Sequence, residues 1–201
     1  MLQVRQSYYD AVQKVSGNAD LFFQKLSEMC NRLGVTIDDV ASVMWIETGK
    51  TFDPKIKNPN SSASGLIQFM EATAKGLGTT TTQLRAMSNI EQLTYVEKYF
   101  KNQINAFGKP KDFFDVYTLV FYPTWLKMAD TAQMTISASK ANIGIDTYFG
   151  NKDGIVSKGE FRKFAMSKLP INTLIALGTK KKSTHCNCPN CGCAIDLVLS
   201  N

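Results

Sequence analysis

Cysteine and histidine are scarce along most of the chain. Cys30 is the only cysteine before position 186, and the single histidine, His185, stands in the same C-terminal stretch as the other four cysteines. A disulfide-stapled fold is therefore not expected for the body of the chain. Cysteine catalysis is not expected either, because His185 and the four cysteines beside it read as a tail and not as part of the folded body. No apolar run approaches the roughly 20 residues that a membrane span requires, so no membrane insertion is expected. Residues 1–20 lack the charged start, apolar core and small-residue cleavage site of a signal peptide. The chain is expected to be made as a soluble, cytoplasmic product. There is no internal repeat and no low-complexity tract.

The remaining composition is ordinary. A chain of 201 residues can bury one compact core and carry a small appendage. A hydrophobic fraction of 44% and a charged fraction of 20% exclude only the unusual classes, such as disordered or collagen-like chains. Lys and Arg outnumber Asp and Glu by 23 to 17, and the net charge of +6 biases the surface toward acidic partners. The basic residues are scattered, and the one tight run, Lys180-Lys181-Lys182, reads as a solvated linker. Nucleic-acid binding would call for basic residues clustered with aromatics on one face. No nucleic-acid partner is expected.

Periodicity and caps predict a mostly helical body up to Phe121. Asn18 caps a helix through Leu21, Phe22, Leu26 and Met29 that Gly34 ends. Thr36 with Asp39 resembles a capping box ahead of Val40, Val43, Met44 and Glu47, and Thr48-Gly49 stops that helix. Residues 51–64, with Pro54, Pro59 and several serines, read as an irregular loop. Residues 65–75 read as a short helix, and residues 76–82, with two glycines and four threonines, as a second loop. Ser88 with Glu91 is another capping box, opening a helix through Leu93, Val96, Tyr99 and Phe100. Residues 112–122 suit a buried helix that Pro123 terminates.

Glu47 is the first candidate for chemistry. On a helix it shares a face with Val40, Val43 and Met44. A carboxyl group at the end of an apolar stripe is partly desolvated, which raises its pKa and keeps it protonated near neutral pH. Such a group can protonate a leaving oxygen. The competing reading is a solvated glutamate in the last turn of a helix.

Three motifs in order place this acid in a wider pattern. Residues 45–54, Trp-Ile-Glu-Thr-Gly-Lys-Thr-Phe-Asp-Pro, are followed by residues 64–70, Ser-Gly-Leu-Ile-Gln-Phe-Met, with Ala72-Thr73-Ala74 behind them, and then by Ser88 to Phe100. Over roughly residues 36–123 the chain resembles the soluble lytic transglycosylase family, which has the lysozyme-like fold. The resemblance implies Glu47 as the catalytic acid and base, with Thr48, Gly65, Gln68 and Tyr122 in substrate binding. Gly65 would allow close approach of a sugar or of the Glu47 helix. Gln68 would contact substrate or tie down the loop. Thr48 stands where the family usually has serine, and Ile67 where it usually has methionine. The later Ala-Tyr-Asn-Ala-Gly motif is matched to residues 119–123, Leu-Val-Phe-Tyr-Pro, as in related phage-borne domains, which makes Tyr122 the cleft tyrosine.

A hydrolytic glycosidase generally needs two carboxylates, whereas a lytic transglycosylase needs one, because the muramic acid's own hydroxyl attacks. The nearest second acid, Asp53, reads as structural beside Pro54, and Glu71 as a helix-exterior residue. The non-hydrolytic route is therefore favoured.

Two further segments are open to metal. Residues 145–161 resemble half of an EF-hand, and residues 142–146 resemble the segment that precedes an EF-like loop in related phage wall-degrading domains. Counted from Gly154, Asn151, Asp153 and Glu160 fall at loop positions three, five and twelve, while position one falls on Phe149 and Asp146 looks like a displaced first ligand. The segment is either a distorted calcium site or a relic that keeps only the turn. Cys188 and Cys191 form a C-x-x-C pair, flanked by Cys186 and Cys193. These four thiols form a zinc knuckle, a reactive tail, or disulfides made outside the cell.

The expected fold is mainly α. Residues 1–140 form a lysozyme-like transglycosylase domain, residues 141–178 an EF-hand-like helical segment packed on it, and residues 179–201 a Lys-rich linker and irregular Cys-rich tail. The expected partner is bacterial peptidoglycan, cleaved at the MurNAc-GlcNAc β-1,4 bond, with no cofactor required for the chemistry beyond the calcium and zinc candidates above. A muramidase and a catalytically silent wall-binding or virion protein are the alternatives. Delivery would rest on a phage particle, a holin-type pore or another secretion device.

Overall fold

The computed structural model describes residues 2–177 and the backbone of residues 183–187 and 194–198. Among the described residues the protein is mainly α-helical, with two small two-stranded sheets. In chain order the elements are β1 (Gln3–Arg5), α1 (Gln6–Ser16), α2 (Ala19–Leu33), α3 (Ile37–Glu47), α4 (Glu71–Gly76), α5 (Thr81–Ala86), α6 (Asn89–Phe107) and α7 (Phe113–Phe121). A 3-10 turn, Pro123–Lys127, leads to α8 (Ile136–Ala141), α9 (Ile143–Phe149), α10 (Lys158–Ser167), β2 (Leu174–Ala176), β3 (Ser183–Asn187) and β4 (Ala194–Val198).

The helix ends follow the cap chemistry. Asn18 accepts from the Leu21 amide at 3.2 Å, and Gly34 closes α2 in the left-handed conformation. Thr36 accepts from the Asp39 amide at 3.1 Å and opens α3. Ser88 and Glu91 form the full reciprocal box expected of them. Asp112 caps α7, and Pro123 begins the 3-10 turn instead of extending the helix.

Two stretches differ from the sequence expectation. Residues 65–70 are not helical, because Gly65 (φ 79°) and Gln68 (φ 52°) are left-handed and Ser64 exchanges backbone hydrogen bonds with Phe69 at 2.8 and 3.0 Å. The helix starts only at Glu71. The threonine run expected to be loop opens α5, because the Thr80 side chain accepts from the Gln83 amide and caps it.

The core is continuous from end to end. Phe52, fully buried, meets Tyr8, Phe22, Phe23 and Trp45 at ring-centroid distances of 5.6–6.5 Å. Phe161 of α10, also fully buried, meets Phe114, Tyr117, Phe121, Trp125 and Phe164 at 4.2–6.0 Å. α10 thus shares the core of α7. The residues that follow it are also closed onto the N-terminus. β1 pairs antiparallel with β2, the Arg5 guanidinium makes two 2.7 Å bonds to Asp38 and a 2.9 Å bond to the Pro170 carbonyl, and the Trp45 indole donates to the Lys168 carbonyl at 3.3 Å.

The C-terminal stretch, expected to be irregular, carries an antiparallel pairing of β3 with β4. Cys186 lies on β3. Its side chain and residues Cys188, Cys191 and Cys193 lie outside the described residues, so the zinc expectation does too.

Candidate active site

Glu47 ends α3, the most apolar of the early helices, whose residues 40–45 are all buried. Two longer-range elements close around it. α7 contributes Tyr117, which hydrogen-bonds the Glu47 carboxyl, and α6 contributes Tyr99, whose hydroxyl feels the Glu47 charge. Tyr99 donates to the Leu119 carbonyl at 2.9 Å, which locks α6 to α7 beside the acid. Phe69 packs edge-on against Tyr99 at 6.1 Å, so the second sequence motif meets the same group.

The electrostatics follow from this packing. Burial pushes the Glu47 pKa up to about 7, and the hydrogen bond from Tyr117 offsets only part of that. Burial and then the Glu47 carboxylate raise both tyrosine hydroxyls above their ordinary range. A carboxyl with a pKa near 7 can donate a proton and take one back at neutral pH.

The turn after Glu47 is strained and strongly held. Gly49, Lys50 and Phe52 all have positive φ, at 58°, 75° and 55°. The Lys50 amide donates to the Trp45 carbonyl at 2.7 Å, and Phe52 is anchored by its aromatic neighbours. Thr48 is the clamp. Fully buried, it donates to the Met44 carbonyl at 2.7 Å and accepts from the Phe52 amide at 2.8 Å. This corrects the expectation of a substrate contact, because the hydroxyl is turned into the protein and engaged by backbone groups.

Gly65 and Gln68 also serve the frame. A Cβ on Gly65 would lie 2.6 Å from Gln92 Oε1, so the close approach is made by α6 and not by a sugar or by α3. Gln92 is fully buried; it accepts from the Leu66 amide at 3.0 Å and donates to the Pro54 and Leu84 carbonyls at 2.8 and 2.7 Å. Sequence reasoning did not single out Gln92. Gln68 donates to the Gly65 carbonyl at 3.1 Å, the loop-tying role.

Tyr122 is not the tyrosine at the acid. Its ring packs tilted against Trp125 at 4.8 Å, and its hydroxyl accepts from the Thr135 amide at 3.2 Å. Tyr117, five residues earlier on the buried helix α7, is the tyrosine that meets Glu47, and its signal in the sequence is a tyrosine within the strongly apolar run 113–121.

The other acids are engaged structurally. Asp53 accepts from the Lys55 amide at 2.9 Å, and Glu71 accepts from the Thr81 amide and hydroxyl at 3.0 and 2.6 Å. Asp146, 2% exposed, accepts from the Lys152 and Gly154 amides at 2.7 and 2.8 Å and so folds the loop about itself. Glu160 completes a capping box with Ser157, and its carboxylate meets that of Asp146 where a Cβ on Gly150 would sit. Asn151 and Asp153 bond each other at 3.0 Å in the same exposed turn. Asp146 and Glu160 thus converge, while no group of three or more His, Cys, Asp and Glu among the described residues is arranged to hold a metal. Among the described residues, no helix is long and apolar enough to cross a membrane.

No protein-family model matches this chain, and no curated protein matches it in sequence.

Proposed function

We propose that the protein cleaves the glycan strands of bacterial peptidoglycan as a lytic transglycosylase, with Glu47 as general acid and then base. The observation that carries this reading is the seat of Glu47, a carboxyl desolvated at the end of an apolar helix, with Tyr99 and Tyr117 beside it and a pKa near 7. In the first step the Glu47 proton passes to the glycosidic oxygen and the bond to the muramic-acid C1 breaks. Glu47, now ionised, takes the proton of the muramic-acid 6-hydroxyl as that oxygen bonds to C1, which leaves a 1,6-anhydro end. Tyr117 donates a hydrogen bond to the ionised Glu47 in this interval.

The single-acid route is favoured over hydrolysis because a hydrolase generally needs a second carboxylate across the bond. Asp53 and Glu71, the acids nearest in sequence to the two motifs, are held by backbone amides, and no other acid among the described residues contributes to the Glu47 shift.

Digestion of purified peptidoglycan, with products identified by mass spectrometry, tests the reading. Wild-type protein is expected to release anhydro-muramic ends, and Glu47→Gln to lose about 10³-fold in rate, within the range for removing a general acid. Reducing ends would make the enzyme a muramidase. No products from folded protein would leave a wall-binding or virion structural role.

A further inference from the structure

A groove of about 560 Å³ opens where the α6–α7 connection, the 3-10 turn and the start of α10 meet. Its lining carries Lys109, Lys111, Lys127, Lys158 and Arg162 against two carboxylates, an excess of three positive charges. Those carboxylates are occupied by the start of α7. Asp112 accepts from the Asp115 amide at 2.8 Å, and Asp115 accepts from the Lys111 amide at 3.0 Å. The positive end of the α7 dipole lies in the same place.

The cations at the floor of the groove are held in position. Lys158 is only 4% exposed, and its ammonium donates to the Met128 carbonyl at 2.7 Å. An ammonium has three donors, and its other two have no partner among the described residues. Arg162 stacks on Phe114 at 4.2 Å and reaches Asp112 at 3.6 Å and Asp130 at 3.2 Å, while its buried Nε has no partner among the described residues. The buried Lys158 ammonium, with one partner, is costly without compensation, and an anion in the groove would supply what is missing. Lys109, Lys111 and Lys127 are exposed around the mouth, and none of them is ion-paired among the described residues.

We propose that this groove binds a phosphate ester, with Lys158 and Arg162 beneath the phosphate and the three exposed lysines around it. Phosphate fits better than carboxylate for two reasons. Its charge of up to about −2 and three acceptor oxygens match several lysine point charges. A lone carboxylate is best served by a free Arg fork, and that of Arg162 is shared with Asp112 and Asp130. An ester fits better than the free ion because Phe107, Leu126 and Met128 also line the groove and offer an apolar side to an organic group. The groove is separate from Glu47. Asp115 and Tyr117 are two residues apart on α7 and project roughly 200° apart around it. The proposal does not depend on the glycan-cleaving reading.

Calorimetric titration of the full chain with phenyl phosphate, inorganic phosphate and benzoate tests it. Wild-type protein is expected to bind phenyl phosphate saturably, and the other two at least about 5-fold more weakly. The combined Lys109→Ala, Lys111→Ala and Lys127→Ala variant is expected to bind at least about 10-fold more weakly, equivalent to about 1.4 kcal/mol. All three positions are exposed, so folding is retained and a melting curve verifies it. A control variant of equal charge loss, Lys14→Ala, Lys55→Ala and Lys140→Ala, is expected to stay within about 2-fold of wild type, since dispersed surface charges are screened. Equal loss in both variants would overturn the proposal in favour of diffuse attraction. Benzoate binding as tightly as phenyl phosphate would overturn the phosphate assignment, inorganic phosphate binding as tightly would overturn the ester, and no saturable binding by wild type would overturn the site.

Discussion

At Glu47, burial and hydrogen bonding pull in opposite directions, and burial prevails. A carboxyl whose folded pKa stands above its unfolded value binds protons more readily in the folded state. Stability therefore falls as pH climbs from about 4.5 to about 7, and is level above that. Glu47→Gln removes the ionisation. It is expected to leave stability nearly unchanged at pH 4 and to raise it by roughly 2–3 kcal/mol at pH 8, discounted for partial exposure. Denaturant titrations at the two pH values check this, and a gain of equal size at both would contradict it. Tyr117→Phe removes the hydrogen bond that lowers the Glu47 pKa. The alkaline limb of the pH–activity profile is expected to move up, whereas a merely structural Tyr117 would change the rate without moving that limb.

At the scale of elements, the loop between α3 and α4 is held by one side chain from α6. Gln92 bonds the Leu66 amide and the Pro54 and Leu84 carbonyls, and Gly65 leaves room for it. Gly65→Ala places a Cβ at φ 79° and 2.6 Å from Gln92 Oε1. The left-handed backbone costs about 1–2 kcal/mol by itself, and displacing Gln92 adds the cost of unsatisfied buried groups, about 1–3 kcal/mol. Thermal unfolding is expected to show this loss, and a melting temperature within about 1 °C of wild type would contradict it. The caps of α2, α3 and α6 were legible because Asn, Thr and Ser hydrogen bonds act within one turn of chain. α5 was not, because threonines suit both loops and N-caps, and only the Thr80 geometry decides between them.

For the whole molecule, the boundary expected near residue 140 does not divide the core. Phe161 is fully buried against rings of α7 and of the 3-10 turn, and β2 returns to pair with β1. Emptying the Phe161 site alone costs about 3–5 kcal/mol. A fragment of residues 1–140 is expected to lose cooperative thermal unfolding, while residues 1–177 keep it. Circular dichroism melts of the two fragments distinguish these outcomes.

The sequence by itself determined the helical class, the ends of α2, α3 and α7 and the position of Glu47 at the end of an apolar helix, because these depend on residues within a few positions of one another. It also marked Gly65, though not what approaches it, and Gln68, with loop-tying as one of two readings. Tertiary structure alone decided what stands around them. Tyr99 and Tyr117 reach Glu47 across more than 50 positions of chain, and Gln92 reaches Gly65 across 27. Lys109 and Lys111 are joined by Lys127 and Lys158 in the basic groove only when the 3-10 turn packs on α6 and α10 packs on α7. Local hydrogen-bond chemistry and periodicity are written in short stretches. The burial that perturbs an acid and the gathering of like charges come from contacts between distant ones.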